Sequence, residues 1–166
     1  MLPQTGQQIY NIDVQVPRQV YTFAPADMTD ATGAVGNVPG LAFNVLANII
    51  YHFRFVVNLL TGAATTTGFK LAITCPAFVA NMYAAYAQIT GFAADGAAST
   101  WIGTMVASGD TITSTDTKAT TKDYLAIIEG IIQPSAAGVV QLQYGSEVAA
   151  STTLKMGSFG ILTQIW

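Results

Sequence analysis

The feature that most constrains this chain is a strict two-residue alternation between Ile49 and Leu60. Ile49, Tyr51, Phe53, Phe55, Val57 and Leu59 share one parity; Ile50, His52, Arg54, Val56, Asn58 and Leu60 share the other. A helix would scatter the aromatic set around its axis, whereas a strand places all of it on one face. The segment is therefore read as a long strand with one face buried. Other stretches repeat the pattern. Leu41, Phe43 and Val45 alternate with Ala42 and Asn44, and Phe69, Leu71, Ile73 and Cys75 alternate with Lys70, Ala72 and Thr74. Trp101, Gly103, Met105 and Ala107 form another set, and Val140, Leu142 and Tyr144 another. Tyr124–Ile132 is a nearly continuous apolar strand enclosing Glu129, and 151–156 and 159–166 close the chain as two short strands. The Ala-rich stretch Phe78–Thr90 has helical composition but alternating order, and its strand neighbours and the Asp95-Gly96 turn favour a strand. About eight or nine strands separated by turn signals predict an all-β sandwich or barrel.

Composition agrees. Charged residues make up 9% of the 166, against about 25% in ordinary globular proteins. Thr occurs 21 times, and β-branched residues suit a pleated surface. The six basic residues are spread along the chain and the net charge is −3. That supplies no cationic footprint for nucleic acid or for an anionic membrane surface. Low charge favours association, so an oligomer is expected. The apolar stretch 41–60 could span a bilayer by length, but Asn44, Asn48, His52, Arg54 and Asn58 would each be costly in lipid. The first residues lack a basic stretch followed by an apolar one, so no secretory signal is expected.

Residues 1–35 differ from the rest, with three prolines, six Gln or Asn and few large apolar residues. They are read as an extended N-terminal arm, and 36–166 as the sandwich domain; an edge strand plus loop is the competing reading. Ile9, Ile12, Val14 and Val16, with Tyr10, are the candidate attachment contacts. An extended segment of this kind can add a strand to another chain's sheet edge. The arm is expected to be disordered in the free protein.

Catalytic chemistry is sparse. His52 is the sole histidine and Cys75 the sole cysteine. His52 could be a base or ligand, but its place on the polar face of a strand favours a surface or interface residue. Cys75, followed by Pro76, lacks an electropositive setting in sequence and is read as a buried structural thiol. Asp110, Asp116 and Asp123 flank one polar loop at a spacing that matches no EF-hand, so a solvated loop is expected rather than a calcium site. Glu129 and Glu147 are the only glutamates, on different strands, and a glycosidase needs two that face each other. No phosphate loop, dinucleotide fingerprint or nucleophile elbow occurs. An enzyme is not expected, nor a cofactor, nor a metal.

The order of several strand-and-turn segments resembles small structural proteins of tailed bacteriophages. These are Asn37-Val-Pro-Gly-Leu41, Tyr51-His-Phe-Arg-Phe55, Ile128-Glu-Gly-Ile131, Gly138-Val-Val-Gln-Leu142, Ser146-Glu-Val148 and Met156-Gly-Ser158. The resemblance, from about Val38 to the C-terminus, is to virion decoration (cement) proteins, head fibres and tail-fibre tips. It implies a jelly-roll-like antiparallel β-sandwich, often a homotrimer, without catalytic residues. It also implies that the partner is the major capsid protein or another virion protein, in a virion assembled in the host cytoplasm. Two functions follow: a decoration protein that clamps the head shell, or a fibre or adhesin module that binds a host-surface glycan. The shortness of the chain favours the first.

Overall fold

A computed structural model describes residues 18–62, 67–92, 98–114 and 122–165. Twelve strands are present among the described residues: β1 (Gln19–Phe23), β2 (Met28–Asp30), β3 (Gly36–Val45), β4 (Tyr51–Leu60), β5 (Phe69–Thr74), β6 (Phe78–Phe92), β7 (Ala98–Met105), β8 (Thr111–Thr113), β9 (Asp123–Pro134), β10 (Gly138–Ser146), β11 (Thr152–Leu154) and β12 (Phe159–Gln164). They form two antiparallel sheets, one of eight strands in the order β1-β12-β4-β9-β6-β7 with β11 and β2 paired beyond β4, and one of four in the order β3-β10-β5-β8. The expected β-sandwich is therefore present, with its strands divided eight and four. No helix among the described residues is long and apolar enough to cross a membrane.

The alternation sets the layers. Along β4, Tyr51, Phe53, Phe55, Val57 and Leu59 are all buried, while their neighbours are only half-buried. Phe43 of β3 meets Phe55 across the interior with ring centroids 5.3 Å apart. Phe69 of β5 meets Tyr124 of β9 at 5.9 Å. These aromatic pairs join the two sheets, and burial of such side chains is the main favourable contribution to the fold. Trp101 lies partly buried against the core, 6.1 Å from Tyr124.

Two local devices keep the layers close. At Gly40 the backbone φ is +78°, and an added Cβ would collide with the Phe23 carbonyl oxygen. Only glycine allows β3 to pass so near β1. Pro39 beside it is tolerated because β3 is the outer strand of its sheet. The β3–β10 register shifts between Gln141 and Gln143, and the Gln141 amide donates hydrogen bonds to the Val38, Leu41 and Leu142 carbonyls there. The side chain thus satisfies backbone acceptors around the irregularity.

The boundary expected at residue 36 moves. β1 pairs with β12 from Gln19↔Thr163 to Phe23↔Phe159, and β2 pairs with β11. Residues 19–23 and 28–30 are therefore strands of the larger sheet and not part of an arm. The proposed contacts Ile9, Tyr10, Ile12, Val14 and Val16 lie outside the described residues.

Candidate functional site

The outer face of the eight-stranded sheet gathers the polar chemistry of the fold. Antiparallel pairing places Arg54 of β4 opposite Glu129 of β9, and Glu129 opposite Tyr86 of β6, which in turn stands opposite Thr104 of β7. Two residues along, His52 stands beside Ile131, and Ile131 beside Ala84. All of these have the outward parity, because Tyr51, Phe53, Ala85, Ile128 and Met105 take the inward one.

Glu129 is the centre of this group. His52 Nε2 lies 2.7 Å from Glu129 Oε1, and the Tyr86 hydroxyl donates to Glu129 Oε2 at 3.1 Å. Arg54 Nε is 4.0 Å from Oε2 and has no hydrogen-bond partner among the described residues. Burial raises the Glu129 carboxyl, but the hydrogen bonds from His52 and Tyr86 and the charges of His52 and Arg54 outweigh it, and the group is held below its usual range. The same hydrogen bond to Glu129 raises the Tyr86 hydroxyl. Glu129 is thus set to stay ionised and Tyr86 to stay protonated. Such a carboxylate is a poor general acid and such a phenol a poor nucleophile. Beside the cluster lies an open hollow of about 440 Å³, bounded by His52, Ala84, Tyr86, Thr104, Glu129 and Ile131.

The other sequence candidates lie elsewhere. Glu147 follows β10 and accepts a hydrogen bond from the Gly68 backbone N–H at 3.0 Å, so it fixes a loop near the smaller sheet. Asp110 accepts from the Val106 and Ala107 N–H groups at 2.9 and 2.8 Å, which makes it a turn residue. Asp116 lies outside the described residues, and no group of three or more His, Cys, Asp or Glu able to hold a metal occurs among the described ones. Cys75 is half-buried rather than buried, with its backbone bonded to Ser108 on both sides. Burial raises its thiol, against a smaller lowering by Ser108, which disfavours the thiolate.

Sequence reasoning missed the His52–Glu129 pair, 77 positions apart in sequence. Its signal is that each residue is a polar member on the outward parity of an otherwise apolar strand. At β1, the outermost strand at one end of the larger sheet, the edge-strand reading holds in place of the arm. This strand pairs with β12 on one side only among the described residues. Its sequence, QVYTF, has neither a charge nor a proline, and Val20, Tyr21 and Phe23 are 41%, 54% and 60% exposed. Leu46 and Ile165 are exposed as well.

No protein-family model matches the chain, and no curated protein matches it. Among solved structures it is similar at low scores to several chains. A structure of the infectious bursal disease virus Gx strain gives a TM-score of 0.25 at 11% identity over 89% of this chain and 40% of that one. The VP2 subviral particle of infectious bursal disease virus gives 0.26 at 13% identity over 90% and 40%. A lipoprotein from Bacteroides thetaiotaomicron gives 0.22 at 8% identity over 90% and 88%. The chain spans about 40% of the length of those viral chains. TM-scores this low assign neither a family nor an activity. The class defined by the structure itself is an antiparallel two-sheet β-sandwich.

Proposed function

We propose that this chain is a non-enzymatic structural protein of a phage virion, a capsid decoration protein that binds the head shell as a homotrimer. The observation that carries the reading is the β1 edge. Sheet edges in soluble proteins are usually blunted by charge, proline or cover, because an open row of N–H and C=O groups templates pairing with another chain. QVYTF carries neither charge nor proline, and among the described residues it presents three exposed apolar side chains. Such an edge is suited to strand addition, in which backbone hydrogen bonds supply affinity and side chains supply fit. It also continues directly from the segment that carries Ile9, Tyr10, Ile12, Val14 and Val16, so arm and edge form one attachment element. The low charge, the Thr-rich surface and the resemblance to decoration proteins support the same reading. The partner is the major capsid protein or another virion protein, without nucleic acid, membrane or cofactor.

The test uses shells of the encoding phage that lack the protein. Tyr21→Lys with Phe23→Lys places two charges on an exposed strand without touching the core. The double variant should fold and lose shell binding. Unchanged occupancy would refute the role of the edge.

A further inference from the structure

An antiparallel sheet with one solvated face alternates apolar and polar residues along each strand. β9 does not. Leu125, Ile127 and Ile131 share the outward parity with Glu129, while Tyr124, Ala126 and Ile128 take the inward one. A strand apolar on both parities is composed to be covered on both faces, yet Leu125 and Ile131 stay 49% and 45% exposed. The register carries this apolar surface across to β7, since Ile127 stands opposite Gln88 and Gln88 opposite Ile102. Ile102 and Val106 are the most exposed large apolar side chains among the described residues, at 70% and 67%. We propose that the outer face of β9, β6 and β7 joins copies of this chain, with Ile102 of one copy seated in the hollow of the next. The proposal rests on the homotrimer reading for the number of copies and assigns the surface that holds them together. That surface lies at the opposite end of the sheet from β1.

Three observations select a second copy as the occupant. The first is relief. The hollow of about 440 Å³ is bounded by Ala84, Thr104 and Ile131 among others, and a second of about 260 Å³ lies between Gln88, Thr90, Leu125 and Ile127. Ile102 and Val106 stand two residues to either side of Thr104 on the same parity. Projection and depression are therefore neighbours on one surface. In a closed ring each copy gives its Ile102 to one neighbour and receives that of the other. The second is charge. β6 and β7 carry no charged residue, and β9 carries only Glu129 and, at its first position, Asp123. Glu129 is already engaged by His52 and Tyr86 and offset by Arg54. A covering surface that brought its own charge would leave it unpaired, so the occupant must be nearly uncharged there. A chain with 9% charged residues meets that condition. The third is area. At about 3.3 Å per residue and about 4.8 Å between strands, β4, β9, β6 and β7 present roughly 700 Å². A standard interface takes about 800 Å² from each partner, and side-chain relief adds to the flat figure. Exposed apolar surface of this extent marks a contact between proteins.

The experiment measures mass and cross-linking of the free full-length protein. Light scattering at micromolar concentration should give the trimer mass for the wild type and the single-chain mass for Ile102→Lys and for Leu125→Lys. Both changes fall at exposed positions, so the far-ultraviolet circular dichroism spectrum should stay that of the wild type. Cross-linking uses Cys75→Ser chains, which hold no other thiol. Chains that also carry Ile102→Cys, mixed with chains that carry Ala84→Cys, should form a mixed disulfide pair under oxidised glutathione. Trimer mass retained by both lysine variants overturns the proposal, as does absence of the mixed disulfide. Retained mass together with lost shell binding would make this face a contact with the shell and equally overturn it. A single-chain mass for the wild type would overturn the homotrimer reading and this proposal together. Loss of shell binding on changing Tyr21 and Phe23, with the response at Ile102 intact, would support both the attachment edge and this separate contact.

Discussion

Glu129 shows how one residue gathers polar contacts in a fold with few charges. Its ionised form gains hydrogen bonds from His52 and Tyr86 on folding, so its folded pKa lies below its unfolded value near 4.5. A depressed carboxyl contributes stability that is fully present above the unfolded pKa and is lost as pH falls through the folded one. Thermal stability should therefore decline below about pH 4.5, and Glu129→Gln should flatten part of that decline. The cluster is partly exposed, so the effect is small, about 1 kcal/mol or less. Melting curves of both proteins from neutral to acidic pH check it; identical slopes would contradict it. At Gly40 the expected cost is larger. Gly40→Ala must place a side chain at φ +78° against the Phe23 carbonyl oxygen, which should lower stability by at least about 1 kcal/mol in urea unfolding. The pairing itself could not be read from sequence: each residue stands out as a polar member of an apolar strand, but His52 and Glu129 meet only once the β4–β9 register is set.

Strands differ in how legible they are, and the reason is physical. β4 is unmistakable because one parity is wholly apolar and buried and the other carries His52, Arg54 and Asn58. β9 could be found because its apolar run is long, although both faces carry apolar residues. β1 gave only a short strand-like run, Val20–Phe23, inside a segment read as an arm. As an outer strand it exposes residues of both parities, so alternation vanishes and the segment resembles an arm. β2, β8 and β11 have three residues each, too few to show a period. The correction changes what truncation should do. Removing residues 1–17 should leave every described strand intact, with an unchanged far-ultraviolet circular dichroism spectrum and melting temperature. Removing 1–24 also strips β1 from β12 and exposes that edge, so the melting temperature should drop by several degrees. Equal melting temperatures for the two truncations would show that β1 does not belong to the sandwich.

The molecule as a whole is a lopsided sandwich with an aromatic interior, few charged residues and an outer strand, β1, that pairs on one side only among the described residues. Exposed apolar surface on a small domain is commonly covered by symmetric association. Light scattering at micromolar concentration should therefore give three times the 17.4 kDa chain mass. The Tyr21→Lys, Phe23→Lys variant should shift towards the single-chain mass if the edge also joins protomers. A single-chain mass for the wild type would contradict the trimer.

The central claim is that the chain holds to a head shell through β1 and the segment preceding it. Co-sedimentation with shells lacking the protein tests this most directly, comparing the full chain, the 1–17 truncation and the Tyr21→Lys, Phe23→Lys variant. The account predicts saturable binding of the full chain at a fixed ratio to the major capsid protein, and little or none for either altered form. Binding of all three to the same occupancy, or failure of the full chain to bind, would contradict it.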